Sequence, residues 1–338
     1  MPELEPELDA LAAETRFSGI VRVDRNGRTL FEKAYGLAHR GWAVPNTIDT
    51  RFAIASGTKG LTALTVVGLI EDGALELSTP ARSVLGKDLP LIGNAVTIEH
   101  LLAHRSGIGD YLDEETEPNR DDYLMPVPVH ELATTEQYLA ALEGHETKFA
   151  PDERFAYSNS GYVVLGLIAE RASGVPFHEL VRRRVCEPAG MEDTEFLRSD
   201  ELPGRTAVGY LAADGWRTNV FHLPVRGSGD GGIYTTAADI SAFWKALFAG
   251  TIVSTEWVAE MVRLRSRSGA RGYGLGFWLD PGAGSVRLGG QDAGVSFESE
   301  HKPEDALTTT VISNTTDGAW AVGRYFAQRF RQPEDSPG

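Results

Sequence analysis

A Ser-Gly-Thr-Lys tetrad, Ser56 to Lys59, stands at the mouth of the run GLTALTVVGLIEDG, apolar on nearly every side until Glu71. A helix that is apolar all round lies inside its molecule. Whatever this chain folds into must wrap that helix, and a chain of 338 residues is long enough to bury a substantial core. Residues three apart on a helix share a face. Ser56 in the first turn therefore sets Lys59 beside it, one turn further in. A serine hydroxyl needs a base within hydrogen-bond reach to act as a nucleophile. Burial disfavours the charged form of an amine, the condition under which an amine accepts a proton. The plainer role for Ser56 is a helix N-cap.

A second element is Tyr157-Ser158-Asn159, in FAPDERFAYSNSGYVVLGLIAE. Pro151, Asp152 and the cluster Ser158 to Gly161 mark a loop, and a helical pattern resumes with YVVLGLIAERASG. In an extended segment, residues two apart point the same way, which sets Tyr157 and Asn159 on one side. A phenol beside a cation can become a phenolate and so a general base. An amide can hold a substrate carbonyl. The alternative is a tyrosine followed by a polar turn.

Charge narrows the partners. There are 48 acidic and 32 basic side chains, a formal net charge of −16. That disfavours nucleic acid and anionic membranes. The one cysteine, Cys186, excludes an intramolecular disulfide and reads as a small buried hydrophobe. MPELEPELDALAAETRF shows acidic residues where a secretory signal needs a basic start, and no apolar stretch follows. No apolar run is long enough to span a bilayer, so the expected location is the cytoplasm. His100 and His104 lie four apart in EHLLAHRSG, a metal-compatible spacing. No carboxylate follows at ligand spacing and there is no HExxH, so no metal is expected. No glycine cluster, GDGG at Gly229 to Gly232 included, is followed by the Lys-Ser or Lys-Thr of a phosphate loop. No cofactor is expected.

Several stretches taken in order resemble the serine β-lactamase-related family: class C β-lactamases, D-Ala-D-Ala carboxypeptidases, D-aminopeptidases and esterases of the same fold. GIVRVDRNGRTLFEKAYGLAHR is similar to the family's opening strand pair, and RFAIASGTKGLTA to its nucleophile motif. TIEHLLAHRSGIGDY resembles its histidine-containing helix and Ser-Gly turn, and FAYSNSGYVVLG its tyrosine motif. GDGGIYTTAADISAFWKAL and GYGLGFW also fit. The resemblance runs from about Phe17 to Asn314 and implies acyl transfer. Ser56 is then the nucleophile, Lys59 and Tyr157 the proton-transfer pair, and Asn159 a substrate contact.

One motif departs from the family's pattern. Members usually carry Lys or His, then Thr or Ser, then Gly on a strand edging the site. Here the match is Leu288-Gly289-Gly290, followed by QDAGVSF. Gly290 keeps the glycine, and Leu288 replaces the cation. Alternate strand residues face opposite sides, so Leu288 and Gly290 share a face and Arg287 points away. The resemblance implies an oxyanion hole from the main-chain N–H groups of Ser56 and Gln291. What is lost is the anchor for a substrate carboxylate, unless another arginine such as Arg226 supplies it from a loop.

The expected fold is α/β, of the β-lactamase/transpeptidase type: an antiparallel sheet flanked by terminal helices, plus a mainly helical domain. Strand alternation appears over Gly19–Val23 and Arg28–Tyr35, with Asp24–Gly27 as the hairpin turn. It returns in GYGLGFWLD, GSVRLGGQD, GVSFESEH and ALTTTVISN, before a closing helix AWAVGRYFAQRF. Late strands pairing with early ones make residues 1–60 and 190–338 one discontinuous domain. Residues 61–189 form the helical one, with the site between them. The tail RQPEDSPG reads as disordered. Ser106 to Leu132 is a long irregular segment. Its acidic stretch Asp110 to Asp122 reads either as a solvated loop or as a rim over the site, with Tyr111 as a wall. The leading function is a serine hydrolase acting through an acyl-enzyme on a small ester or amide. A D-Ala-D-Ala carboxypeptidase or β-lactamase is the second reading, and a silent binding protein of the same fold the third.

Overall fold

The computed structural model describes residues 4–115 and 123–330. The expected disorder of the tail falls at 331–338, outside the described residues.

The sheet begins with a hairpin. Strands β1 (Gly19–Arg25) and β2 (Arg28–Tyr35) pair antiparallel. Asn26 and Gly27 both take positive φ, 52° and 71°, as a two-residue hairpin loop requires. The turn is thus tighter than the expected Asp24–Gly27. Asp24 stays in the strand, where Arg22 bridges it to Glu32 across the pair. Short strands β3 (Leu37–His39), β4 (Val44–Pro45), β5 (Phe52–Ala53) and β6 (Tyr234–Thr235) follow. The late strands are β7 (Ser266–Ser268), β8 (Arg271–Tyr273), β9 (Trp278–Asp280), β10 (Ser285–Asp292), β11 (Val295–Lys302) and β12 (Leu307–Ser313). Eight strands make the main sheet in the order β2-β1-β12-β11-β10-β9-β8-β7. The contact of β1 with β12 joins the two ends of the chain.

The helices are α1 (Leu4–Thr15), α2 (Thr58–Glu71), α3 (Ala81–Leu85), α4 (Ile98–Leu102), α5 (Leu139–Leu142) and α6 (Asn159–Ser173). After them come α7 (Phe177–Val181), α8 (Glu187–Ala189), α9 (Ala237–Phe248), α10 (Thr255–Met261) and α11 (Ala319–Arg329).

Strand alternation divides the burial between two faces. Val21, Val23 and Val311 pack under α1 and α11 with Leu4, Leu8 and Phe326. Their neighbours Ile20 and Ile312 face the other way. They join Phe297, Leu288 and the apolar residues of α2, α6 and α9 in one continuous cluster. Helix α2 is buried at every position from Thr58 to Leu69, as its lack of a polar face demands. Its core is shared with the sheet: among the described residues, the helical region and the inner sheet face form one apolar cluster. Cys186 is buried, and burial pushes its thiol up to about 12. Among the described residues, no helix is long and apolar enough to cross a membrane.

Candidate functional site

The chain turns sharply into α2. Ala55 follows β5 with φ at +46°, a conformation costly for a residue with a Cβ. That twist starts a 3-10 turn, Ala55–Gly57, which precedes α2 and holds Ser56 partly exposed. Ser56 therefore lies just before the helix and not in its first turn. The spacing still works. Lys59, only 2% exposed, donates to Ser56 Oγ at 2.9 Å, Asn159 Oδ1 at 2.8 Å and the Asp230 main-chain oxygen at 2.7 Å. An ammonium has three donors, and these three oxygens use them all.

Helix α2 also grips the segment 229–233. Thr62 Oγ1 donates to Gly229 O at 2.7 Å, and Ile233 N donates to Thr58 Oγ1 at 3.2 Å. Residues 58, 59 and 62 lie on one helical face, so Asp230 is carried to Lys59 by three bonds in register. Its carboxylate accepts from the Tyr111 hydroxyl. Burial pushes that carboxyl above the usual range, and Lys59 opposes the shift.

Helix α6 delivers Asn159. Ser158 is its N-cap, accepting from Gly161 N at 3.0 Å. Asp110 completes the cap: its carboxylate accepts from Asn159 N at 2.7 Å, and from Ser160 N and Ser160 Oγ at 3.0 Å each. A carboxylate on the N–H groups of a helix start is favoured by hydrogen bonding and by the dipole. Tyr157 precedes the cap and lines the same hollow as Ser56. Lys59 Nζ lies 4.9 Å from its ring centre. Burial, with Glu114 nearby, holds this phenol well above its ordinary value. The resting group is a phenol, and the phenolate expected from the neighbouring cation is not favoured. His104, at φ +56°, backs Tyr157 with ring centres 4.3 Å apart. Its Nδ1 accepts from Ser158 N at 3.0 Å. Burial first, then Lys59, keeps this imidazole neutral, well below its ordinary value. His100 caps its own helix, with Nδ1 accepting from Thr97 N at 3.2 Å.

Strand β10 closes the site. A Cβ at Gly290 would lie 2.2 Å from Ile54 O, 2.7 Å from Ser56 N and 2.9 Å from Gly57 N. Those atoms are all main chain, so only glycine lets the strand approach the Ser56 turn this closely. The approach gathers the Ser56 N–H and the Gly290–Gln291 main chain beside the Ser56 hydroxyl. The Gln291 side chain is engaged elsewhere, donating to Asp317 Oδ1 at 2.7 Å. Leu288 shares the Gly290 face but packs inward against Gly60 and is 2% exposed. Arg287 is held by Glu298 and by Glu300.

Ser56 opens onto two hollows. One is walled by loops and lined by apolar residues together with Tyr111, Asn219, His222, Asp230 and Asp292. The other, more open, runs along β10 past Glu114, Tyr157, Arg271, Trp278 and Trp320. Arg226 borders neither. Its Nε donates to Phe196 O at 2.9 Å, so it does not stand in for the missing cation.

Ser56, Lys59, Tyr157, Asn159, Gly290 and Gln291 thus meet at one point, with Tyr111 and Leu288 one layer out. The acidic rim is largely otherwise employed. Asp110 is the buried helix cap, Asp113 pairs with Lys148 at 2.7 Å, and Glu115 pairs with Arg154 at 3.1 Å. Glu114 is the member that reaches the cleft, 3.4 Å from Asn159 Nδ2. The rest of the stretch, 116–122, lies outside the described residues. Sequence reasoning missed Asp230, Asp292 and Arg271. Arg271 had one available signal, its place directly before GYGLGFW. Among the described residues, no group of His, Cys, Asp and Glu is arranged to hold a metal ion.

This is a β-lactamase/transpeptidase-like fold with a Ser-Lys-Tyr constellation between sheet and helices. The chain belongs to the Beta-lactamase family, whose sequence pattern matches residues 5–330. It is 31% identical to esterase EstB of Burkholderia gladioli, over 81% of this chain and 77% of that protein. It is 30% identical to the putative penicillin-binding protein PbpX of Bacillus subtilis (strain 168), over 80% of this chain. The matched region spans 64% of PbpX, less than two thirds of its length. The structure superposes on a penicillin-binding protein from Bacillus halodurans with a TM-score of 0.89 and 34% identity, covering 96% of this chain and 100% of that one.

Proposed function

We propose that the protein is a serine hydrolase that works through an acyl-enzyme on small esters or amides. The observation that carries this reading is the Lys59 nitrogen, bonded at once to Ser56 Oγ and Asn159 Oδ1, with the Tyr157 ring centre 4.9 Å from the same nitrogen. The Lys59–Tyr157 pair, an ammonium and a phenol at rest, first releases one proton to solvent; Ser56 Oγ then attacks the carbonyl carbon, and its proton refills the vacated place in the pair. The main-chain N–H groups of Ser56 and Gln291 receive the oxyanion. The tetrahedral intermediate collapses, and the leaving group departs with the proton. Water then gives a proton to the same pair, attacks the acyl carbon and releases the acid, restoring Ser56. Asn159 orients Lys59 through Oδ1, and its amide nitrogen, which donates to Leu112 O at 3.0 Å and lies 3.4 Å from Glu114, would contact a substrate by exchanging the Glu114 bond. Asp110 and His104 are positioning residues, fixing the turn that carries Tyr157 and Asn159.

The substrate lacks the usual carboxylate anchor in this reading, because Leu288 occupies the cation's place and faces the core. One observation favours the carboxypeptidase or β-lactamase reading: Arg271 lines the open cleft. Among the described residues it has no ion-pair partner. A silent binding protein has no need of the Ser56–Lys59 bond. The test is turnover of short-chain nitrophenyl esters, D-amino-acid amides and nitrocefin, each with mass spectrometry for an adduct. Ester or amide turnover with little nitrocefin hydrolysis supports the reading. Nitrocefin turnover dominating the other two supports the alternative, and no turnover with no adduct contradicts both.

A further inference from the structure

The loop-walled hollow beside Ser56 has a chemistry that the acyl-transfer steps do not use. Its walls include Leu112, Met125, Leu197 and Val225. Into it come two carboxylates, Asp230 and Asp292; among the described residues lining it there is no lysine or arginine, and the one histidine is His222. The two acids are neighbours: an Asp292 oxygen lies 3.7 Å from where a Cβ at Gly231 would sit. Asp230 is 8% exposed. A buried aspartate is normally paired with a cation. Lys59 acts on the carboxylate only through space, because its hydrogen bond goes to the Asp230 main-chain oxygen. The side chain's partner is the neutral hydroxyl of Tyr111. That bond aims the carboxylate, and the grip of α2 on residues 229–233 sets it at a constant offset from Ser56. Burial pushes the Asp230 carboxyl toward its protonated form, and Lys59 offsets this only in part. A ligand cation would reverse that. Tyr111 and Tyr138 add aromatic surface to the same walls, a surface that also favours cations.

We propose that this hollow is a substrate subsite for a compact apolar group bearing an ammonium, with Asp230 as its anchor and Asp292 as the supporting charge. The substrates are then amine-bearing esters or amides. This rests on the hydrolase reading and narrows it.

The test uses two series of nitrophenyl and alkyl esters. One carries a primary amine in the acyl part and the other in the alcohol part, each matched to an isostere with methyl in place of ammonium. The readout is the ratio of kcat/KM for amine over neutral, taken within each enzyme, so that general defects of a variant cancel. In the wild type the ratio should exceed about ten in one series, the size of one buried charge-assisted contact. It should fall toward one in Asp230→Asn and part of the way in Asp292→Asn. Butylammonium should compete with the neutral ester about tenfold better than butanol, a comparison that needs no variant. A wild-type ratio near one in both series, a ratio unmoved by both substitutions, or equal inhibition by butylammonium and butanol would overturn the subsite. In those cases acylation of Ser56 by the neutral ester leaves the hydrolase reading standing. If no ester acylates Ser56, the hydrolase reading falls and the subsite with it.

Discussion

The reacting atoms and the two hollows beside them are built in different ways. The reacting groups sit at helix starts: Ser56 and Lys59 at the mouth of α2, Tyr157 and Asn159 at the mouth of α6. Ser56, Lys59 and Asn159 are held by short hydrogen bonds, and Tyr157 is backed by the His104 ring. The loop-walled hollow draws its lining from segments scattered between Ala53 and Ala293, most of them loops. Rigid helix ends suit chemistry that tolerates little misplacement. Loops let one scaffold change its substrate without disturbing the nucleophile. The difference teaches that reaction type and substrate choice are carried by separable parts of this molecule.

The largest effects should come from the rigid half. If Lys59 and Tyr157 form one proton-transfer unit, Lys59→Ala and Tyr157→Phe each lower kcat by about a thousandfold or more. The double variant should then lose little further, because residues acting as a unit are non-additive. Steady-state kinetics on the four enzymes decide it. Losses that multiply would show two independent roles and break the picture of a single helix-end device.

Gly290 is where the halves touch. Gly290→Ala places a Cβ 2.2 Å from Ile54 O, so strand and turn must part. A displaced oxyanion donor costs about a hundredfold or more in kcat, with KM changing much less. An unimpaired Gly290→Ala enzyme would mean that β10 takes no part in the reaction.

Substrate charge separates the hollows. Asp230, Asp292 and Glu114 surround Ser56, so a carboxylate next to the scissile bond should lower kcat/KM by about tenfold. Raised salt should narrow the gap. Arg271→Gln should change the ratio of carboxylate to neutral substrate by less than about threefold, as befits an exposed charge. A carboxylate preference that vanishes in Arg271→Gln would make the open cleft the selective one and favour the carboxypeptidase reading.

The smallest effect is on stability, at His178, away from both hollows. Its Nε2 lies 2.8 Å from Gly227 O, and burial pushes the imidazole down to about 4. As pH falls, the unfolded chain takes up this proton near pH 6.5, well before the folded one does. Stability is therefore lost from about pH 6.5 down to about 4 and levels off below. Buried carboxyls with raised values, such as Asp110 and Asp230, act in the opposite sense. The difference between wild type and His178→Gln isolates the imidazole. Melting temperatures from pH 7 to 4.5 should fall less steeply in the variant. Parallel curves would contradict the assignment.

What the sequence revealed follows the same division. The Ser56–Lys59 pairing was legible because helical period ties residues three apart, even though Ser56 proved to lie in a preceding 3-10 turn. The sheet was legible from alternation, which sends Ile20 and Val21 to opposite faces. Asp110 was hidden in an acidic run, because nothing local distinguishes a helix cap forty-nine residues upstream from a solvated charge. Asp230 looked like part of a glycine turn, because its place depends on Thr58 and Thr62 of a distant helix. Leu288 stands where the family resemblance places a cation, yet only packing against Gly60 shows that it faces the core. Local geometry writes the chemistry into the sequence, and the pockets arise only when remote loops meet.

The central claim is that Ser56 carries the acyl group, and it is tested most directly by trapping that adduct. The enzyme is mixed with a slow ester, quenched in acid, digested and mapped by peptide mass spectrometry, with Ser56→Ala alongside. The account predicts one acyl mass on the peptide containing Ser56 and none anywhere in the variant, whose melting temperature stays close to the wild type's. An adduct on another residue, or turnover that survives in Ser56→Ala, would contradict it.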